Sequence, residues 1–369
     1  MQNKPLKAGH RPDYFFLAIV FVLTVFGLAM LASASSDLGK TQFNDSYYFI
    51  RHQIYNGLSV GVIGFILGYT IYYGRLKKFA LPLLIVSIIA LTLVFTKFGL
   101  TIRNTNRWLK LGPISFQPAE IRKLAFVVYL AAWLANSKLK RAANFLEGLL
   151  PFALVSGFIA VLLLLQPATS TVAILLGTGI VMYFLSGAGL KYVLAIVLLM
   201  VVGFGVVIFA TPYRMTRIMG FLNQSADTEN RNYHVNQALI AIGSGGLTGV
   251  GYGQSTLKAS SLPAPTDDSI FAVIAGELGF IGAGAVVALF AALTLRLFWL
   301  AKRTRDNFGK LILIGFGAII ALQSLTNMAA ISGLIPLTGV PLPFVSYGGT
   351  ALAVFLTMSG IAANVSKYT

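Results

Sequence analysis

The sequence predicts an all-α polytopic membrane protein, a single integral membrane domain over residues 1–369. Three observations carry that prediction. The 369 residues are 57% hydrophobic and only 11% charged, where a soluble domain carries roughly 25% charge. Mean hydropathy is correspondingly high, at +0.80. Ten segments are apolar over about 20 residues, the length needed to cross a bilayer. Lys and Arg fall in short clusters between these segments, the pattern of topology signals and of contacts with anionic lipid headgroups.

In chain order the candidate helices lie near 14–34, 55–73, 78–97, 119–136, 148–165, 169–186, 190–210, 269–299, 310–331 and 346–364. The first follows Lys4, Lys7 and Arg11 and reaches Ala32-Ser33-Ala34, which mimics a signal-peptidase site. Its apolar run, Tyr14 to Leu31, exceeds the roughly 7–15 residues of a signal h-region, so it reads as an uncleaved helix. Glycines inside several segments suit close helix packing. The 269–299 segment is long enough to tilt or to project from the bilayer.

One set of loops holds the N-terminal tail, Arg75–Lys78, Lys138–Arg141, Lys191, Arg296–Lys310 and Lys367. These loops are short and rich in basic residues, so they are expected to be cytoplasmic, with both termini inside. The opposite loops, near 98–118, 211–268 and 332–345, hold the unusual polar residues. They are expected to face outward and to carry the functional site.

The net charge of +17 invites a nucleic-acid reading. The scattered basic clusters form no continuous face and no binding motif accompanies them, which argues against it. There is no Cys, so thiolate chemistry and disulfides are excluded. Three scattered histidines, His10, His52 and His234, speak against a His-ligated metal.

Four constellations could carry chemistry. The first loop contains Asn106-Arg107-Trp108-Leu109-Lys110 and Phe116-Gln117-Pro118-Ala119-Glu120-Ile121-Arg122-Lys123. Pro118 marks a helix start, with Glu120 in the first turn and Lys123 three residues on, within reach of a pair. The plainer reading of Trp108 and Arg107 is interfacial anchoring. The second loop offers Arg214 and Arg217 as a phosphate-binding pair, then Gln237 and a glycine-rich run to Gly253. Those glycines permit tight turns and close backbone approach to a ligand; a dinucleotide fingerprint would need a βαβ context that is absent. The third segment, Gly333 to Thr350, holds three prolines and glycines enough to forbid a regular helix. Broken backbone at membrane depth survives only where it is buried or lines a cavity. Last, Thr266-Asp267-Asp268 stands at the mouth of an apolar helix, in a chain with only 11 acidic residues. One carboxylate could cap that helix; two are poorly explained by capping.

Together these segments resemble the SEDS family, the FtsW/RodA/SpoVE membrane proteins of bacterial cell-wall synthesis. The resemblance covers nearly the whole chain, in order. It rests on Ser33-Ala34-Ser35, Arg107-Trp108, the Phe116–Lys123 run, Gln237 to Ser255, Leu262-Pro263 and Asp268-Ser269-Ile270-Phe271-Ala272-Val273-Ile274. Glu277-Leu278-Gly279 and Pro341-Leu342-Pro343-Phe344-Val345-Ser346-Tyr347-Gly348-Gly349-Thr350 complete it. The last motif and Asn364-Val365-Ser366 sit closer to the FtsW branch than to the RodA branch. Three departures stand out. The usual Gln-Pro-Asp is Gln166-Pro167-Ala168, the usual Glu-Glu is Gly276-Glu277, and the usual Glu or His shortly before the catalytic Asp is absent.

The resemblance implies a peptidoglycan glycosyltransferase that polymerises lipid II beside a class B penicillin-binding protein and other divisome or elongasome membrane proteins. It implies a catalytic Asp268 and a supporting Glu120. Joining a C4 hydroxyl to an α-linked anomeric carbon with inversion needs a base and cations for the departing pyrophosphate. Asp268 is the candidate base. Arg107, Lys110, Arg214, Arg217 and Lys258 are the candidate pyrophosphate cations. Gln237, Tyr347, Gly348 and Gly349 are further substrate-contact candidates; Glu120, Lys123, Asp267, Trp108, Gln117 and Ser346 are supporting ones. A divalent cation (Mg²⁺ or Mn²⁺) bridging carboxylates and phosphates would suit this chemistry. The rival readings are a lipid II flippase, which would place charges at the membrane midplane, and a scaffold, which leaves Asp268 unexplained.

Overall fold

The computed structural model describes residues 10–102, 105–111, 114–135, 144–222 and 233–369. Lys4 and Lys7 of the N-terminal tail and the Lys138–Arg141 cluster, all part of the topology argument, lie outside the described residues.

Every one of the ten apolar segments is helical. The elements run α1 (Tyr14–Phe43), α2 (Tyr48–His52), a π-helical turn Gln53–Leu58, α3 (Ser59–Thr70) and α4 (Leu76–Leu93). Strands β1 (Gly99–Ile102), β2 (Thr105–Leu111) and β3 (Ile114–Phe116) precede α5 (Pro118–Leu134), α6 (Leu150–Leu165), α7 (Thr169–Leu185) and α8 (Leu190–Phe209). Three short helices follow: α9 (Pro212–Leu222), α10 (Tyr233–Ser244) and α11 (Leu257–Ser260). The chain closes with α12 (Ile270–Arg303), α13 (Asn307–Ile331) and α14 (Gly349–Ser366). Among the described residues, seven helices are long and apolar enough to cross a membrane. The chain is a multi-pass membrane protein. Of the remaining three, α3 and α7 are shorter, and α5 carries Glu120, Arg122 and Lys123 near its start.

Burial sorts the helices into a centre and a rim. The apolar windows of α13 and α14 are 78% buried, whereas that of α8 is 11% buried. Leu194, Leu198 and Phe209 of α8 therefore present the apolar surface expected to meet lipid tails. The α3–α14 contact is close because α3 brings glycines to it. A Cβ on Gly64 would fall 2.0 Å from Thr357 Oγ1, so only the missing side chain allows this approach.

Both chain ends meet at one end of the bundle. The Asp13 amide donates to Ser366 Oγ at 3.1 Å, and Asp13 Oδ1 caps α1 by accepting from Phe16 N at 2.8 Å. Arg296, near the end of α12, pairs with the same carboxylate. Asp268, before the start of α12, therefore belongs to the opposite end.

Three local features differ from the sequence expectation. First, α1 continues well past residue 34, through the polar Ser33–Lys40 stretch, and stops at Asn44 in the left-handed conformation (φ 53°). Second, the first loop contains a three-stranded antiparallel sheet in which Trp108 lies opposite Leu100 and Leu109 opposite Phe116. Third, α12 is interrupted at Gly279 (φ 67°), where a Cβ would fall 2.3 Å from Gly249 N. The glycine-rich run packs against this break: Val250 N donates to Gly276 O at 3.1 Å and Phe280 N to Gly246 O at 2.9 Å. The close backbone approach expected to serve a ligand is instead an approach to the protein's own α12.

Candidate active site

Asp268 sits in the turn that leads into α12. The N-cap of α12 is Ser269, whose own side chain makes no cap bond. The backbone around them is held from three sides. Asn327 Nδ2 of α13 donates to Asp268 O at 2.8 Å and to Val340 O at 2.7 Å. Ser346 Oγ donates to Asp267 O and accepts from Leu342 N at 2.8 Å. Tyr347 N donates to Thr266 O at 2.8 Å. The broken Gly333–Thr350 segment is therefore the wall of the site. A Cβ on Gly339 (φ 65°) would lie 3.6 Å from Asp268 Oδ2. Gln53 fixes the far side of this wall, accepting from Gly348 N at 3.0 Å and donating to Ser346 O at 3.3 Å. Gly349 packs so tightly that a Cβ there would sit 3.1 Å from the Asn56 backbone. The Tyr347 ring meets Phe49 edge-on.

His234 of α10 reaches the same turn. Its Nε2 lies 2.6 Å from Ser269 Oγ, which itself donates to Pro263 O at 2.8 Å. Ser269 has spent its proton on Pro263, so the imidazole is the donor in the shorter bond.

The Glu120–Lys123 pair forms as spaced, at 2.7 Å and buried. Lys123 Nζ also donates to Gln323 Oε1 at 2.6 Å, and Gln323 Nε2 donates to Pro341 O at 2.8 Å. One hydrogen-bonded path therefore links the ion pair to the wall that holds Asp268. Gln117 joins from the N-cap position of α5, its backbone N–H donating to Thr350 Oγ1 at 3.2 Å.

The arginines gather elsewhere on the same end, at the turn between α6 and α7. Arg107 Nε donates to Gln166 O at 3.0 Å and its Nη2 to Pro167 O at 2.6 Å. Arg214 Nη2 donates to Leu164 O, and Arg217 Nη1 to Leu337 O, both at 3.1 Å. Cations suit these positions because the last carbonyls of α6 are orphaned and carry the negative end of its dipole. Burial lowers the Arg107 pKa from its usual range, and the neighbouring Arg217 charge lowers it further. Ser170 Oγ donates to Thr338 O at 3.1 Å, which ties the start of α7 to the residue beside Gly339. The arginine rim and Asp268 thus flank one segment of backbone. Trp108 is half-buried in β2 beside Arg107, Lys110 is exposed two residues further, and Gln237 is half-buried on α10.

Lys258 departs from its expected role. It is buried, and its Nζ donates to Glu277 Oε1 at 2.8 Å, Ser33 Oγ at 2.9 Å and Gly253 O at 3.0 Å. All the proton donors of an ammonium are used there, which leaves none for a phosphate. Glu277 Oε2 accepts from Gly253 N at 3.0 Å, so this cluster pins the glycine-rich loop to α12 and to α1.

Sequence reasoning missed Asn327, Gln323, Gln53 and His234. The signal for the first two was present: Gln323, Ser324 and Asn327 are polar residues at one-turn spacing in an otherwise apolar α13. Among the described residues no three acids or histidines cluster as a metal cage. Asp267 and Asp268 alone would fit a cation bound chiefly through substrate phosphates. Between α6, α7 and α8 lies an apolar cavity of about 550 Å³, with Leu164 and Val172 toward the arginine rim and Gly157 and Gly203 along its walls.

A broken, buried segment facing a carboxylate at a helix mouth, set in a helical membrane bundle, defines the SEDS class of fold and site. The FtsW/RodA/SpoVE family model, described as "Cell cycle protein", matches residues 13–369, and the chain belongs to that family. It is 36% identical over 359 residues to Stage V sporulation protein E of Bacillus subtilis, covering 97% of both chains. It is 34% identical over 355 residues to a "Probable peptidoglycan glycosyltransferase FtsW" of Geobacter sp. (strain M18), covering 96% of both. Among solved structures it resembles a chain of the complex described as "Structural coordination of polymerization and crosslinking by a peptidoglycan synthase complex". That match has a TM-score of 0.78 and 27% identity, covering 97% of this chain and 99% of that one. The Thermus thermophilus rod shape determining protein RodA superposes with a TM-score of 0.69 at 26% identity, each chain 96% covered.

Proposed function

We propose that this chain is a peptidoglycan glycosyltransferase that polymerises lipid II, with Asp268 as the base. The observation that carries the reading is the Asp268 turn, held by Asn327 and Ser346 across a broken backbone segment from the arginine rim. A base on one side of that segment and cations on the other match an inverting displacement of a pyrophosphate. Asp268 takes the proton of the attacking C4 hydroxyl. Arg107, Arg214, Arg217 and the exposed Lys110 balance charge on the leaving pyrophosphate. Asp267 is the carboxylate nearest to hand for a divalent cation, which would supply charge neutralisation at those phosphates. The apolar cavity between α6, α7 and α8 suits the polyprenyl tail.

In this reading the Asp268 end faces outward and both termini are cytoplasmic, since the basic loops cluster at the terminal end. A single-pass class B penicillin-binding protein supplies cross-linking, because this sequence has neither the Ser-Asp-Asn nor the Lys-Thr-Gly motif that accompanies Ser-x-x-Lys in transpeptidases, and the Lys258 of its Ser255-Thr256-Leu257-Lys258 run is paired with Glu277. The FtsW and sporulation relatives favour a role in division-type synthesis over elongation. The test is polymerisation of labelled lipid II by purified protein, with and without the cognate partner. Asp268→Ala should abolish polymer at normal expression and membrane insertion, and Asp267→Ala should be milder. Polymer made by Asp268→Ala at the parental rate would overturn the assignment.

A further inference from the structure

His234 stands near the start of α10, with its Nε2 2.6 Å from the Oγ of Ser269, the residue directly after Asp268. Helix packing brings it there. Ala241, seven residues further along α10, meets Gly276, seven residues further along α12. A Cβ on Gly276 would stand 2.9 Å from Ala241 O, so the missing side chain admits this approach. The two helices thus run side by side in the same direction for about two turns, and their first turns meet at Ser269. Gly276 is also one of the positions at which the chain departs from the SEDS pattern.

Ser269 is the knot of the Asp268 turn, and it is fully buried. Its backbone N–H donates to Ala264 O at 3.3 Å, and its Oγ donates to Pro263 O at 2.8 Å. Asp267 N also donates to Ala264 O, at 3.1 Å. These bonds close a loop that carries both carboxylates. The loop is strained at Ala264, whose φ is 46°. A residue with a Cβ resists that region, and the following Pro265 favours extended backbone at the residue before it. Strained backbone persists only where its surroundings over-determine it. Asn327, Ser346 and Tyr347 hold the loop from the wall. Helix α10 adds a separate attachment: Tyr233 Oη donates to Ser261 O at 3.1 Å, and the next residue, His234, locks Ser269. The bonds from His234 to Ser269 and from Ser269 to Pro263 form one chain, in which each donor polarises the next.

We infer that His234 is a positioning residue for Asp268: its Nε2–H fixes Ser269, and Ser269 fixes the strained turn that aims the carboxylate. This deepens, and rests on, the reading of Asp268 as the base. The imidazole supplies a donor of fixed reach and takes no proton from the reaction. The turn carries the carboxylate up to the wall, where Asp268 Oδ2 lies 3.6 Å from the place of a Gly339 Cβ. A displacement of about 1 Å there would cost on the order of a hundredfold in rate.

The test separates the donor from the ring. His234→Leu removes the bond and keeps most of the bulk. Its kcat on lipid II should fall about tenfold to a hundredfold, with KM changed less than about twofold. Glutamine carries its Nε2 as many bonds from Cβ as histidine does, so His234→Gln should return kcat to within about threefold of the parent. Asparagine falls one bond short, and His234→Asn should stay slow. Ala264→Gly removes the Cβ that opposes the positive φ, so adding it to His234→Leu should restore part of the lost kcat. Hydrogen exchange reads the same clasp without turnover. A peptide spanning the Asp267 and Ser269 amides should exchange about tenfold faster in His234→Leu, with α13 unchanged. Parental kcat and protection in His234→Leu would overturn the proposal. So would His234→Gln as slow as His234→Leu, because the ring would then be moving a proton. Protection lost across α13 as well, or no recovery from Ala264→Gly, would also overturn it. A parent that makes no polymer but shows His234-dependent protection would sink the polymerase reading alone. A polymerising parent whose turnover and protection ignore His234 would sink the clasp alone.

Discussion

Glu120–Lys123 and Lys258–Glu277 are both lysine–carboxylate pairs buried near the Asp268 end, but they are completed differently. The first joins two residues of one helical turn and leaves Glu120 Oε2 without a partner. The second joins a loop helix to α12 and recruits Ser33 of α1 and the Gly253 backbone, so that both Glu277 oxygens and the whole ammonium are engaged. A buried ion pair contributes net stability only when its remaining lone pairs and protons are satisfied. By that criterion Lys258–Glu277 is a structural staple. Glu120–Lys123 retains a free valence, and its lysine continues through Gln323 to the wall of the site. The finished pair should govern folding and the unfinished one turnover.

The largest expected effect is at the staple. Lys258→Met leaves Glu277 fully buried and uncompensated, at a cost of about 3–5 kcal/mol. Melting of the purified protein should show a collapse in stability, and the double variant Lys258→Met/Glu277→Leu should recover most of it. If the single and double variants melt alike, the pair does not staple the loop.

Glu120→Gln should be gentler on the fold, at about 1–3 kcal/mol, because Lys123 keeps Gln323 and lies 5.7 Å from the Phe355 ring centroid. Lipid II polymerisation should nonetheless fall about tenfold, since a small displacement of the Pro341 wall misplaces the base. A loss of stability without a matching loss of turnover would move this pair into the structural class.

Asn327→Ala tests the other end of the same path. Its side chain donates to Asp268 O and Val340 O, neither of which carries charge, so the stability loss should stay near 1–2 kcal/mol. The distinguishing readout is kcat: it should fall while the KM for lipid II holds, as expected for a residue that positions the base. A rise in KM with unchanged kcat would instead make Asn327 a substrate contact.

These two pairs also mark how far the sequence could be read. The ten apolar segments were legible because hydrocarbon imposes length and composition on each helix separately. Glu120–Lys123 was legible because three-residue spacing on a helix is itself a distance. Lys258 was read as a loop cation, since its partners come from α12 and α1 and no local pattern announces them. The glycines from Gly245 to Gly253 were recognised as permitting close approach, but the partner, the Gly279 break in α12, depends on tertiary packing. The three-stranded sheet was hidden for a related reason. Its strands are three to seven residues long, too short to display a convincing alternation between turn residues. Asp268 was legible from its scarcity, whereas the Asn327 and Ser346 bonds that hold it required the fold.

The smallest expected effect concerns a third ion pair, at the opposite end, which sharpens the comparison by being neither buried nor linked to the site. Arg296 and Asp13 remain partly exposed, at 27% and 11% of their side chains, and Arg296 also stacks 4.0 Å from the Trp299 ring. Asp13 has two duties, since its Oδ1 also caps α1. Asp13→Asn separates them, because asparagine caps a helix as well as aspartate but carries no charge. Removing the charge should cost under about 1 kcal/mol, the range of exposed pairs. The loss should shrink further as ionic strength rises and the Debye length falls. The Lys258→Met loss should be insensitive to salt, because ions do not reach that cluster. Melting both variants at low and high salt decides the matter. A salt-independent loss of several kcal/mol at Asp13 would mean that the surrounding bilayer desolvates this pair as thoroughly as the protein desolvates Glu277. Burial within the protein alone would then be the wrong measure of which ion pairs in this fold are structural.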